Sequence, residues 1–280
     1  MSESTAKPRG PVAVALTANA VLVYAFFFLP IIILAVFSFS DDRLVGRWGG
    51  FTTSWYGEFW DDAELKSSLW ISLRVAAVST VVSVVLGTMA AIGLERFRWR
   101  TQRFFDGVLY LPIIIPDVTM AVMMLLFFTW GIDLTNSTLG TSFSKGFATI
   151  TLSHIAFSIS FVSVVVRARL AGMSLDLEEA ARDLYASRWN AFRRVTLPQI
   201  APGIAGGALL ALTLSLDDVV ITQFVAGPGG TTLPVRVFSL IRKGVTPVIN
   251  AVSVVMLVAS LVLVVLSVAV QRLRGGSVTG

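Results

Sequence analysis

Six long apolar runs, separated by short polar stretches, set the pattern of this chain. Residues 12–40 contain no Asp, Glu, Lys or Arg; 67–94 carry only Arg74, and 107–132 only Asp117. Residues 146–166 hold His154 and no formal charge. Residues 197–226 are apolar except for the adjacent pair Asp217 and Asp218, and 244–270 are free of charge. A bilayer core about 30 Å thick is crossed by roughly 20 helical residues, and only helices or closed barrels satisfy their backbone groups in lipid. The short alternating segments of a membrane barrel are absent. The pattern therefore predicts an all-α membrane protein with six transmembrane helices at those bounds, as one domain over 12–271 between tails 1–11 and 272–280. The first run is too long for the apolar core of a signal peptide. Phe39-Ser40-Asp41-Asp42 after it is not a small-residue cleavage site, so the run reads as a retained span.

Composition agrees. The chain is 55% hydrophobic and 14% charged, against about 25% charged in an average soluble domain. Its net charge of +5 comes from cations scattered between the apolar runs, not from a basic stripe, so nucleic acid is not an expected partner. The absence of cysteine excludes disulfides, thiolate metal sites and a cysteine nucleophile. With His154 the only histidine, no metal site, cofactor or enzymatic activity is expected.

The cations also set the orientation. One side collects Lys7, Arg9, Arg96, Arg98, Arg100, Arg103, Arg167, Arg169, Arg182, Arg188, Arg193, Arg194, Arg272 and Arg274. The other has Arg43, Arg47, Lys66, Lys145, Arg236, Arg242 and Lys243. Both termini are expected in the cytoplasm, with 167–198 as the longest cytoplasmic loop.

In that loop, Asp176 followed by Glu179 has the form of a capping box, which places a helix start there. Leu177, Ala180, Ala181 and Leu184 then form an apolar face at i, i+3, i+4 and i+7, with Glu178, Arg182 and Asp183 mostly elsewhere. Ser187 can cap a second short helix, expected to stop before Pro198. Two short amphipathic helices suit docking into a partner's groove. The plainer alternative is a helical pair on the lipid headgroups, though its polar face mixes Glu and Asp with Arg.

Glu179-Ala180-Ala181, followed at the right distance by Val195-x-Leu197-Pro198, resembles the Glu-Ala-Ala loop of ABC-importer permeases. In that family the loop is a coupling helix held in a cleft of a separate ATPase. The resemblance implies Glu179, Ala180, Ala181, Leu184, Val195, Leu197 and Pro198 as ATPase-coupling residues. Tyr185 stands where the family has glycine, and a bulky aromatic residue disfavours the left-handed turn that glycine permits. No Walker A loop occurs in the chain; Gly227-Pro-Gly-Gly-Thr-Thr232 lacks the lysine and reads as a turn.

Asp117, Asp217 and Asp218 lie inside spans, where a carboxylate costs about 2.5–3.5 kcal/mol. They should face a polar cavity or a partner; hydrogen bonds within the bundle or a salt bridge to Arg74 are the structural alternative. Neighbouring residues point about 100° apart on a helix, so only one of Asp217 and Asp218 should face a pathway. Such a lining favours a cation. Trp48, Trp55, Tyr56 and Trp60 in the first outer loop offer cation–π faces, or form an interfacial aromatic belt. Arg74 is expected to snorkel, His154 to bond between helices, and Pro112, Pro116 and Pro202 to kink theirs.

Residues 210–234, with Leu111-Pro112-Ile113-Ile114-Ile115-Pro116-Asp117-Val118 and Ser54-Trp55-Tyr56-Gly57, resemble the spermidine/putrescine permeases of binding-protein-dependent transport systems. The resemblance implies a type I ABC-importer permease fold with a cytoplasmic coupling helix, importing polyamines across the inner membrane by alternating access. It places Trp55, Asp117, Asp217 and Asp218 along the solute path. It also implies a second, homologous permease, two copies of an ATPase and an extracytoplasmic solute-binding protein. Another cation such as Fe(III) or thiamine on the same machinery remains open, as does a proton-coupled secondary transporter titrating the three aspartates.

Overall fold

The computed structural model describes residues 10–174, 176–244 and 246–275; the expected tails fall mostly outside them. The helices are α1 (Pro11–Phe37), α2 (Ser54–Asp61), α3 (Ala63–Arg96), α4 (Gln102–Ile114), α5 (Asp117–Leu139) and α6 (Phe147–Ala171). They are followed by α7 (Asp176–Asp183), α8 (Arg188–Ala191), α9 (Leu197–Asp217), α10 (Val220–Val225), α11 (Leu233–Lys243) and α12 (Pro247–Gly275). Among the described residues, five helices are long and apolar enough to cross a membrane: α1, α3, α5, α6 and a continuous Arg188–Asp217. Pro247–Val262 of α12 is a shorter apolar helix, and six helices in all match the number expected from the runs.

Three expectations need correction. The run 107–132 is not one helix, because Pro116 cannot continue α4 and becomes the N-cap of α5. The run 197–226 breaks after Asp217, with α10 restarting at Val220. Finally, the helix begun at Ser187 does not stop before Pro198. Phe192–Thr196 forms a π-turn, in which the Leu197 amide donates to the Phe192 carbonyl five residues back. Proline lacks an N–H and its ring crowds the carbonyl four residues earlier; the wider turn absorbs both defects. The helix runs on.

The chain divides into two compact units, one of residues 1–61 and 244–258, the other of 62–243 and 259–280. In the first, α1 buries no residue. The connection after it is tied locally: Ser40 bridges to Phe51, Phe39 stacks on Phe51, and the Ser40 hydroxyl donates to the Arg47 carbonyl at 2.7 Å.

The second unit is built on α3, α6 and α9, which pack on one another. Lipid tails supply no hydrophobic force between helices, so close van der Waals approach of small residues must hold them. The buried stripe of α3 includes Ser68, Ser72, Ala76, Ser79, Ser83, Gly87 and Ala91. On α9, Gly207, Ala211 and Ser215 repeat every four residues and are buried. A Cβ placed on Gly87 would lie 2.8 Å from Val162 Cβ and 2.9 Å from the Ile159 carbonyl oxygen. A hydrogen bond crosses the α3–α6 seam, from Ser83 to the Ile155 carbonyl at 3.3 Å, and another ties α11 to α3, from the Leu233 amide to Ser72 at 2.8 Å.

Helix α7 begins at Asp176, whose amide donates to the Ser174 hydroxyl at 3.1 Å, so Asp176 is its first residue and not its cap. Ser187 does cap α8, accepting from the Asn190 amide at 3.3 Å. The end of α7 is a Schellman motif: the Ala186 amide donates to the Ala181 carbonyl, and the Tyr185 amide to the Arg182 carbonyl. Tyr185 occupies the left-handed position with φ of 62°. The turn that glycine favours is therefore made by a tyrosine, whose side chain is 99% exposed and finds no compensating packing.

Two outcomes follow from this packing. Gly87→Ala should force α3 and α6 apart and cost about 1–3 kcal/mol, read as a lower thermal midpoint of the detergent-solubilised protein. Tyr185→Gly should relieve about 1 kcal/mol of backbone strain, read as slower hydrogen exchange at the Ala186 amide; faster exchange there would contradict the strain.

Candidate functional site

The two helix breaks meet. A cavity of about 260 Å³ is lined by Pro112 of α4, Asp117 and Met120 of α5, Phe157 and Phe161 of α6, and Leu214, Asp217, Asp218, Val219, Val220 and Ile221 across the α9–α10 break. No Lys, Arg or His lines it. Three of the four path residues read from the sequence thus come together at these breaks. Asp117 sits in the first turn of α5, where the helix dipole favours a negative charge.

The adjacent aspartates differ in environment. Asp218 caps α10, accepting from the Thr222 amide at 2.7 Å and the Ile221 amide at 3.2 Å. Its carboxylate also lies 3.4 Å from Nε2 of the fully buried His154. His154 Nε2 is 2.9 Å from the Thr222 hydroxyl, and Nδ1 is 2.7 Å from the Ser215 hydroxyl. Ser79 in turn donates to Ser215 at 3.2 Å. Both ring nitrogens are engaged, Nδ1 with Ser215 and Nε2 with Thr222 and Asp218. His154 is thus a helix–helix partner, as its place in an apolar span predicts. Asp217 makes no hydrogen bond or ion pair among the described residues and is left to the cavity.

Trp55 is not among the residues lining the cavity. It belongs to the first unit, where its indole N–H donates to the Ser40 carbonyl at 2.7 Å. The alternative salt bridge between Arg74 and the aspartates is not formed; the Arg74 guanidinium lies 4.9 Å from the centre of the exposed Trp70 ring.

The loop between α6 and α9 places the remaining candidates. Helix α7 buries no residue: Leu177 and Leu184 of its apolar face are exposed, as are Glu179 and Ala180, with Ala181 half-buried. The residue that turns inward is Glu178. Its Oε2 accepts from Arg96 Nη1 at 2.5 Å and from the Thr196 hydroxyl at 2.9 Å. Burial opposes the charge of this carboxylate, but the hydrogen bonds from Arg96 and Thr196 and the charges of Arg96 and Arg182 outweigh it, holding the group below its usual range. Periodicity placed Glu178 off the apolar face but could not name the groups it meets. Of the later motif residues, Val195 is half-buried in the π-turn, and Leu197 and Pro198 are exposed at the start of α9. On the other side of Arg96, Arg167 binds Asp106 at 2.6 Å and Glu95 at 3.4 Å, tying α6 to α4 and α3.

The chain can be compared with known proteins on this geometry. It is 38% identical over 259 residues to the spermidine/putrescine transport system permease protein PotC of Escherichia coli K12, covering 92% of this chain and 94% of the relative. It is 41% identical over 237 residues to the putrescine transport system permease protein PotI of the same strain, covering 84% and 83%. Its fold matches a crystal structure of a bacterial ABC transporter involved in import of the acidic polysaccharide alginate, with a TM-score of 0.77 at 17% identity over 96% of both chains. Residues 83–276 match the model of one family, and the chain belongs to it: it is a binding-protein-dependent transport system inner membrane component.

Proposed function

We propose that this chain is the permease subunit of an ABC importer that carries polyamines, putrescine or spermidine, into the cytoplasm. The observation that carries this reading is the convergence of Asp117, Asp217 and Asp218 on a cavity with no cationic lining residue. A low-dielectric acidic site attracts a linear polycation and repels anions, and the aromatic rings of Phe157 and Phe161 supply faces for an ammonium group. The relatives named for spermidine and putrescine point to the same cargo.

In this reading Asp217 meets the ammonium, Asp117 contributes charge at the start of α5, and Asp218 holds the α9–α10 break in shape. Trp55 serves the outer approach. Both termini lie in the cytoplasm, as does the loop 167–198. The exposed apolar face of α7, with Glu179, Ala180, Ala181 and Leu184, enters a cleft of an ATPase, supported from behind by Val195, Leu197 and Pro198. The complete importer holds a second, homologous permease, two copies of the ATPase and an extracytoplasmic solute-binding protein. The chain performs no covalent chemistry; ATP hydrolysis belongs to the partner, and transport proceeds by a population shift between inward-facing and outward-facing states.

The test is ATP-dependent uptake of putrescine and spermidine by the reconstituted importer, with Fe(III) and thiamine as competing cargoes. Asp217→Asn should lower polyamine uptake about tenfold or more, the value of one charge-assisted contact of about 1.5–3 kcal/mol, while leaving the thermal midpoint unchanged. Asp218→Asn should lower both, because it also weakens the cap of α10. Equal, negligible effects of the two, or transport of only the competing cations, would overturn the assignment. Glu179→Ala should abolish uptake while the protein stays in the membrane; normal uptake would remove the docking role of α7.

A further inference from the structure

We propose that Arg96, Glu178 and Thr196 form the joint through which a displacement of α7 enters the two helices that run to the acidic cavity. This rests on the coupling role given to the loop above, and goes beyond it by naming positioning residues that the Glu-Ala-Ala motif does not include.

Because α7 buries no side chain, it has no apolar grip on the body of the permease. The Glu178 carboxylate, 22% exposed, supplies a polar one. One oxygen of that carboxylate accepts from both Arg96 and Thr196, and the two donors sit on different rigid elements. Arg96 is the last residue of α3, where the helix dipole favours a cation. Helix α3 has 34 residues, about 51 Å at 1.5 Å per residue, more than a bilayer core. It carries Ser79, which reaches the Ser215–His154 chain beside the cavity. Thr196 ends the π-turn, and from there the helix continues unbroken over the 21 residues of α9 to Asp217. A push on α7 at Glu178 is therefore delivered at once to α3 and to α9.

The joint is built to transmit and not to lock. A carboxylate gripped by a bidentate guanidinium fork has its angle fixed. Here a single oxygen takes both bonds, and Arg96 Nη2 is buried without a partner among the described residues. The pair can pivot about Oε2, and the spare donor offers a second arrangement of the same two side chains when α7 tilts. Charge-assisted bonds of this kind are about twice as strong as neutral ones, so the pivot holds under load.

The test uses the assembled transporter in vesicles. Glu178→Gln should leave the ATPase bound and its hydrolysis close to the parent rate, while polyamine uptake falls about tenfold, so that less solute enters per ATP. Arg96→Glu combined with Glu178→Arg should restore part of that uptake. Parallel loss of hydrolysis and uptake would make the three residues a plain brace, and unchanged uptake would remove the joint altogether. A second readout needs no activity. The chain has no cysteine, so Arg98→Cys with Asp183→Cys gives two clean spin-label sites on either side of the joint. Adding Glu178→Gln should broaden the distance distribution between them; an unchanged distribution overturns the proposal. Should the parent complex show no ATP-driven uptake while the labels respond as expected, the functional reading fails and the joint stands.

Discussion

Close approach of α3, α6 and α9 along small side chains is the constraint on which the second unit depends. In lipid a larger side chain gains nothing by leaving its apolar surroundings, so helices adhere only where their backbones can come near each other. Gly87 against Val162 shows how little room is left. That nearness puts serine and threonine hydroxyls within reach of the neighbouring helices, and it lets His154 sit fully buried with both ring nitrogens engaged. It also makes broken helices affordable. Non-helical backbone at membrane depth survives only where protein or a polar cavity surrounds it, and both interruptions in this unit lie at the same cavity.

The carboxylates at those interruptions solve one desolvation problem in two ways. Asp218 is solvated locally, by hydrogen bonds from the free amides at the start of α10 and by the imidazole beside it. Asp217 receives no such help and must be compensated by whatever enters the cavity. Adjacent residues of one type in an apolar helix thus divide into a structural group and a binding group, and the division comes from the break between them. On an unbroken helix, a turn of about 100° would have been the only distinction.

Much of this was legible in the residues. Long charge-free runs located the membrane helices, because bilayer thickness leaves few alternatives, and the loop motif located α7 with its exposed apolar face. What escaped was conformational. Pro116 is visible as a proline, but whether a proline kinks a helix or ends it depends on what can satisfy the freed carbonyls. The four-residue spacing of Gly207, Ala211 and Ser215 was not singled out by the apolar pattern, and their burial together became visible only in the structure. Glu178 was legible only as lying off the apolar face; its partners Arg96 and Thr196 stand 82 and 18 residues away in the chain and needed coordinates. At Tyr185 the fold keeps the left-handed turn even though the residue opposes it.

The π-turn at Phe192–Thr196 also bears on how positions along this helix should be compared. It holds one residue more than an α-turn without adding the corresponding rotation, so it inserts a phase offset of about 100° between the segments on either side. A helical wheel drawn straight through 188–217 therefore assigns one end to the wrong side. Deleting a single residue within the bulge would restore an ordinary α-helix and leave the loop end and the cavity end facing as they do, whereas a deletion elsewhere in 188–217 would turn one against the other by about that angle.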